Sequence, residues 1–249
     1  IDRPADLPAE MTRISLPFNH EQNKPVYVDE IVSASTAFAE ISGKLRKLDH
    51  TTLLFTRNLK QISWAVNQIS SSNISGEYRR KDHKTQTHTK KVHERVCEIT
   101  CNGEKFNYLV FSSGMLNWDN SDLRSVDIAF RLSTNDGKTV VIGEKKPLIV
   151  LFPTCVETHV GFLINAPLRT TPNRETISHE DNFNRYLSEE VAELLSAALD
   201  LIAAKKILST EFYEILPLNP VNFLESNLFF PLFISVQKSL AERPLLLTS

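Results

Sequence analysis

Apolar and polar positions recur along this chain in two periods, and the switches between them outline its elements. Met11 to Phe18 alternates strictly, which predicts a strand. Beyond a polar turn at 19–24, residues Val28, Ile31, Val32, Ser35, Phe38, Ile41, Ser42, Leu45 and Leu48 fall three and four apart, one face of a helix ending near Leu48. Thr52 to Thr56 and Leu59 to Val66 are short runs rich in Leu, Ile, Phe and Trp and predict two strands joined by a hairpin or bend, with a loop from Ser70 to Gly76. Val92 to Thr100 and Lys105 to Ser112 flank Asn102-Gly103, a hairpin signal, and Ser125 to Leu132 and Lys138 to Ile142 flank the turn Asn135-Asp136-Gly137. Leu148 to Phe152, closed by Pro153, and Val160 to Ile164, closed by Asn165 and Pro167, read as two buried strands, the second leading into the polar loop 169–175. Phe183, Leu187, Val191, Leu194, Leu195, Ala198 and Ile202 then form the strongest helical stripe, started by Ser178 with Asp181 as a capping box. A short helix over Ile207 to Leu216, a break at Pro217 to Pro220 and a last helix over Ser226 to Leu240 complete an α+β class: a mixed, largely antiparallel sheet with packed helices and a helical end.

Composition narrows what this architecture does. The chain has 249 residues and a formal charge of -2, so no global basic excess points to nucleic acid or to a membrane surface. Three cysteines, Cys97, Cys101 and Cys155, are too few for a disulfide framework and favour a reducing compartment, the cytoplasm by default. No apolar run is long enough to span a membrane. Ile1 and the apolar stretch Pro244 to Leu247 read as cut ends of something longer.

Charge matters locally. The loop before the long helix carries Arg169, Thr171, Asn173, Arg174 and Glu175, and arginine beside a helix N-terminus suits an anionic ligand. Arg79, Arg80, Lys81, Lys84, Lys90, Lys91 and Arg95 face only Asp82 and Glu94 within 79–95. That run reads either as a solvated edge strand whose charges block edge-to-edge pairing or as a patch for an anionic partner, RNA included. His83, His88, His93, Cys97 and Cys101 lie too loosely for a structural zinc site, and alternation puts both cysteines on one face, so they read as small buried thiols with surface histidines and no metal. His159 reads as a structural histidine on a strand, and Cys155 lacks the setting of a nucleophile.

FPTCVETHVGFLINAPLRTTPNRETI at 152–177 resembles the segment that follows the ATP-binding domain in the sacsin-like and NO VEIN-like branch of ATPases related to the ninety-kilodalton heat-shock protein, where bacterial members are chaperone-like. The resemblance extends to LLFTRNLKQISW at 53–64, YLSEEVAELLSAAL at 186–199, EILPLNPVNF at 214–223 and PLFISVQKSL at 231–240. It implies a middle, transducer-like domain containing a βαβ unit over 19–206, preceded at 1–18 by the last strand of a nucleotide-binding domain and followed from 207 by a further helical region. It also implies a role for Arg174: in the heat-shock protein an arginine of an Arg-Glu pair in this loop reaches the terminal phosphate of ATP bound by the preceding domain. Thr171 and Ser178 stand where that protein has an asparagine and a glutamine.

ATP and magnesium would therefore belong to a preceding domain of the same chain. The acidic helix, DxGxG-like loop and glycine-rich lid of that domain do not occur here, so this segment alone is expected to be inactive. The implied partners are that domain and a client protein, with nucleic acid disfavoured. Two other readings stay open. Arg174 could pair with Glu175 or Glu157 merely to hold the loop, and the chain could be a non-catalytic binding or scaffold module for an acidic protein or nucleic acid, using 79–95. A transducer of a DNA-handling machine is the weakest fit.

Overall fold

A computed structural model describes residues 33–56, 58–68, 71–89, 91–114 and 125–243. The predicted strand at 11–18, the boundary near residue 18, the start of the first helix and Lys90 lie outside these residues. Two compact units divide the chain: Ile1–Leu48 with Trp64–Gly76, and Asp49–Ser63 with Glu77–Ser249.

In the first unit, α1 (Ala34–Arg46) is capped by the Ser33 side chain, which accepts from the Thr36 N–H. Gly76 lies against the Trp64 indole so closely that an added Cβ would come within 2.6 Å of the ring. The predicted loop over 70–76 is extended from Ser71 onward, where β2 (Ser71–Thr87) follows β1 (Gln61–Gln68). Ser and Asn suggested a loop there, and strand pairing overrides that local preference.

The second unit carries β3 (Val92–Cys101), β4 (Glu104–Ser113), β5 (Asp127–Asn135), β6 (Lys138–Ile142), β7 (Pro147–Val150), β8 (Phe152–Glu157) and β9 (Leu163–Asn165). The sheet order is β1-β2-β3-β4-β5-β9-β7-β8. The turns at Asn102-Gly103 and Asp136-Gly137 have positive φ at both residues, the twist-matching geometry that the sequence signal requires. The same side of β5 serves two partners in succession, β9 through Asp127–Ala129 and β6 through Arg131–Asn135. The pairing of β7 with β9 is parallel. These two strands are joined through β8 rather than through a helix, so the expected βαβ unit is absent from the described residues.

Alternation assigns each strand residue to one of two faces. Leu109, Phe111, Ile128 and Phe130 face the core built by α2 (Asn182–Ala204), α3 (Thr210–Glu214) and α4 (Phe230–Glu242). The opposite residues of the same strands, Tyr108, Val110 and Ala129, are also buried, as is Cys97 of β3, which pairs with Tyr108. The segment after Asp49 supplies buried residues beside them. It forms a 3-10 turn, His50–Leu53, where the sequence suggested a strand over 52–56. The Asp49 carboxylate caps the turn by accepting from the Thr51 N–H and hydroxyl, and Leu53 and Leu54 are wholly buried. A short apolar run has no period that separates a strand from such a turn.

The helix at 182 is capped by Asp181 itself, which accepts from the N–H groups of Phe183 and Asn184. Ser178 therefore does not start it. The second buried strand is shorter than predicted and begins at Leu163, and Leu151, at φ 63, splits the first run into β7 and β8. Residues 207–243, expected as a following region, contribute Phe212, Ile215, Phe223, Leu232 and Val236 to the same core as α2. No described helix is long and apolar enough to cross a membrane.

Candidate functional site

The loop between β9 and α2 is fixed to the helix by one buried amide. Asn184 accepts from the Arg169 N–H at 2.8 Å and donates to the carbonyls of Arg169 and Ser178, each at 3.1 Å. A polar residue on the inward stripe of a helix is the sequence signal that could have pointed to this clasp. Arg169 itself meets Asp181 at 3.3 Å and lies 4.8 Å over the Phe183 ring. Asp181 is held below its ordinary range: slight burial raises it, but the Asn184 N–H, the Arg169 guanidinium and the Phe183 N–H outweigh that.

Beyond the clasp the loop ties itself. Asn173 accepts from the Thr171 hydroxyl at 2.6 Å and donates to the Glu175 carboxylate at 2.6 Å. A bridge pairs Thr170 with Ile177. Arg174, at φ 61, has its carbonyl bonded to the Cys155 N–H of β8, and its guanidinium donates to the carbonyls of Val150 at 3.2 Å and Phe152 at 3.5 Å. Among the described residues no carboxylate pairs with it: Glu175 is taken by Asn173, and Glu157 stands 3.6 Å from His159. Of the five loop residues singled out from sequence, Thr171, Asn173, Glu175 and Arg174 come together, and Arg169 faces the helix. His159 is not on a strand; it is an exposed loop residue at φ 56, edge-on to Phe223.

The basic run divides according to its strand faces. Arg80 is buried, donating to the carbonyls of Leu53 at 2.8 Å and Thr56, and it lies 3.5 Å from Asp82. Arg95 is half-buried and donates to the Leu54 carbonyl at 2.7 Å. These two arginines hold the turn after Asp49 and are not part of an exposed patch. Arg79, Lys81, Lys84 and Lys91 are exposed, Arg79 pairing with Glu77 at 2.8 Å. His88 is half-buried rather than on the surface, 2.7 Å from Glu94, which also binds Lys205 at 2.8 Å. Cys97 is buried with its thiol pushed up to about 12 by desolvation and by Asp82, which makes it inert. No group of three or more potential metal ligands gathers among the described residues.

Two polar clusters were not legible as clusters in the sequence, although Arg80, Asp82 and Arg95 of the second belong to the basic run. The first joins His50, Tyr108 and Glu144: the Tyr108 hydroxyl donates to Glu144 at 2.6 Å and meets His50 at 2.7 Å, while Arg131 and Lys146 stand 3.7 and 3.9 Å from the same carboxylate. The second lines a cavity of about 390 Å³ with Thr56, Lys60, Arg80, Asp82, Arg95, Ser112, Ser125 and Asp127. Their members are far apart in the chain, and only the sheet register brings them together. Comparison with protein-family models, curated proteins and solved structures finds no match to this chain.

Proposed function

We propose that this chain is the middle, transducer-like segment of a chaperone-like ATPase, and that Arg174 is the residue it offers to the terminal phosphate of ATP held by a preceding domain. The observation that supports this most is the state of its guanidinium. Two of its five N–H donors reach backbone carbonyls over long bonds, and among the described residues no carboxylate neutralises it. Such a group retains donors and charge for a phosphate, whereas an arginine that merely held the loop would be expected to pair with Glu175 or Glu157. The residues present fit the phosphate contact alone; adenine, ribose and magnesium would be held elsewhere. A nucleotide so bound supplies the phosphoryl group to be hydrolysed, and this chain's part is to bring a rigid cation to it. The Asn184 clasp and the Cys155–Arg174 backbone bond provide that rigidity.

ATP turnover by the full-length protein carrying Arg174→Ala tests the reading. An arginine on the developing phosphoryl charge contributes about three to five powers of ten in rate, so turnover should fall by about that factor. Wild-type turnover in the variant would remove the catalytic role. The reading of 79–95 as a docking patch for an acidic partner is weaker, because Arg80 and Arg95 are committed to carbonyls inside the fold.

A further inference from the structure

We propose that the cavity lined by Lys60, Arg80 and Arg95 is a binding site for a small phosphate-bearing molecule with a hydroxylated body. Its charges are unevenly matched. Asp82 stands beside Arg80 at 3.5 Å, and Asp127 accepts from the Ser112 hydroxyl and from the Asn165 amide at 2.8 Å. Both carboxylates are thus engaged. Among the described residues neither Lys60 nor Arg95 has an ion-pair partner; Arg95 gives one N–H to the Leu54 carbonyl, and its buried Nε has no hydrogen-bond partner there. Three cations, Lys60, Arg80 and Arg95, thus line the cavity against two carboxylates, Asp82 and Asp127, and an anion bound there would balance the surplus positive charge.

The remaining lining indicates what the anion is attached to. The Thr56 hydroxyl has one hydrogen to share between the carbonyls of Leu53 and Leu59, at 2.9 and 2.8 Å, and accepts from Arg80 at 3.5 Å, and the Ser112 hydroxyl donates to Asp127. With their hydrogens committed, these oxygens offer lone pairs, which suit hydroxyl donors on a ligand. The volume of about 390 Å³ lies within the small-molecule range. Lys60 is exposed, and its own carbonyl accepts the Arg80 N–H at 2.7 Å, so the backbone that carries it is fixed by the sheet. The cavity is distinct from the Arg174 loop and does not depend on its proposed role.

Calorimetric titration of the full chain with ribose 5-phosphate, inorganic phosphate and ribose, at matched ionic strength and without nucleotide, tests this. Saturable binding is expected for ribose 5-phosphate, weaker binding for phosphate and none for ribose. Lys60→Glu should weaken ribose 5-phosphate binding by about tenfold or more, the worth of a charge-assisted contact. Lys84→Glu, exposed and outside the cavity, should leave it unchanged. Arg95→Lys keeps the charge but loses the fork, and should weaken binding while the protein stays folded by circular dichroism. No saturable binding of either phosphate probe would overturn the proposal, as would an equal loss from Lys84→Glu, which would mark general surface charge.

Discussion

Burial alone would push the Glu144 carboxyl toward its neutral form, yet hydrogen bonds from His50 and Tyr108, and the charges of His50 and Arg131, hold it below its ordinary 4.5. Asp49, facing Lys146 and Thr51, is likewise held below 3.8 against its own burial. Both groups therefore bind protons less readily folded than unfolded. Their contribution to stability is fully present above the ordinary carboxylate values and is lost as pH falls through the depressed folded ones. Glu144→Gln should cost about 1–3 kcal/mol at neutral pH, the range for disturbing a buried hydrogen-bonded group. In denaturant titrations run across pH that gap should begin to narrow as pH falls past about 4.5 and close below the depressed folded value; a gap that does not change with pH would show that the Glu144 carboxyl is not held below its ordinary range. Nothing in the sequence marked Glu144, because His50 in the 3-10 turn, Tyr108 on β4 and Glu144 after β6 are far apart in the chain and meet only in the folded protein. Arg174, by contrast, was legible: its position between an apolar run and a helical stripe placed it on an ordered loop. Its neighbours in space, the carbonyls of Val150 and Phe152, were not legible, since backbone acceptors leave no trace in residue identity.

Among the elements, the long helix was the clearest from sequence and its start the least clear. The stripe from Phe183 to Ile202 is buried as its period requires. The cap, however, is decided by which side chain reaches the first N–H groups, and Asp181 does so where Ser178 does not. Asp181→Ala should lower stability by about 0.5–2 kcal/mol, whereas Ser178→Ala should change it by a few tenths at most. Thermal unfolding of the two variants distinguishes them, and equal losses would restore Ser178 as the cap. The hairpins at Asn102-Gly103 and Asp136-Gly137 were legible for the opposite reason: a turn of two residues with positive φ admits few side chains. The basic strand pair was legible as a pair but not in its allegiance. Period-two alternation sends Arg80 and Arg95 inward together, and their purpose appears only once the turn they hold is seen.

For the molecule as a whole, the C-terminal segment 207–243 closes the core rather than beginning a new one. Gly161 is the contact that makes this visible. Its N–H donates to the Ile215 carbonyl at 2.8 Å, and an added Cβ would come within 2.6 Å of the Ile215 side chain and 2.9 Å of its Cα. Gly161→Ala should therefore destabilise by about 1–3 kcal/mol, the cost of overpacking. Hydrogen exchange should show α3 and the sheet losing protection together; loss confined to 207–243 would mean that this segment folds separately. Backbone conformation adds a last consequence. Three of the non-glycine residues at positive φ, Asn102, Asp136 and His159, are types that tolerate it, but Leu151, Arg174 and Lys206 are not so favoured. Leu151 and Arg174 meet at one corner, where Arg174 grips the carbonyls on either side of Leu151 and the Asn165 side chain accepts the Leu151 N–H at 3.3 Å. Each such residue stores about 1–3 kcal/mol of strain that the surrounding bonds must hold. The proposed phosphate-sensing arginine is thus part of a wound spring: drawing its guanidinium away from those carbonyls removes part of what keeps the turn coiled, so an event at the phosphate would be felt first as a change in backbone shape at the edge strand β8.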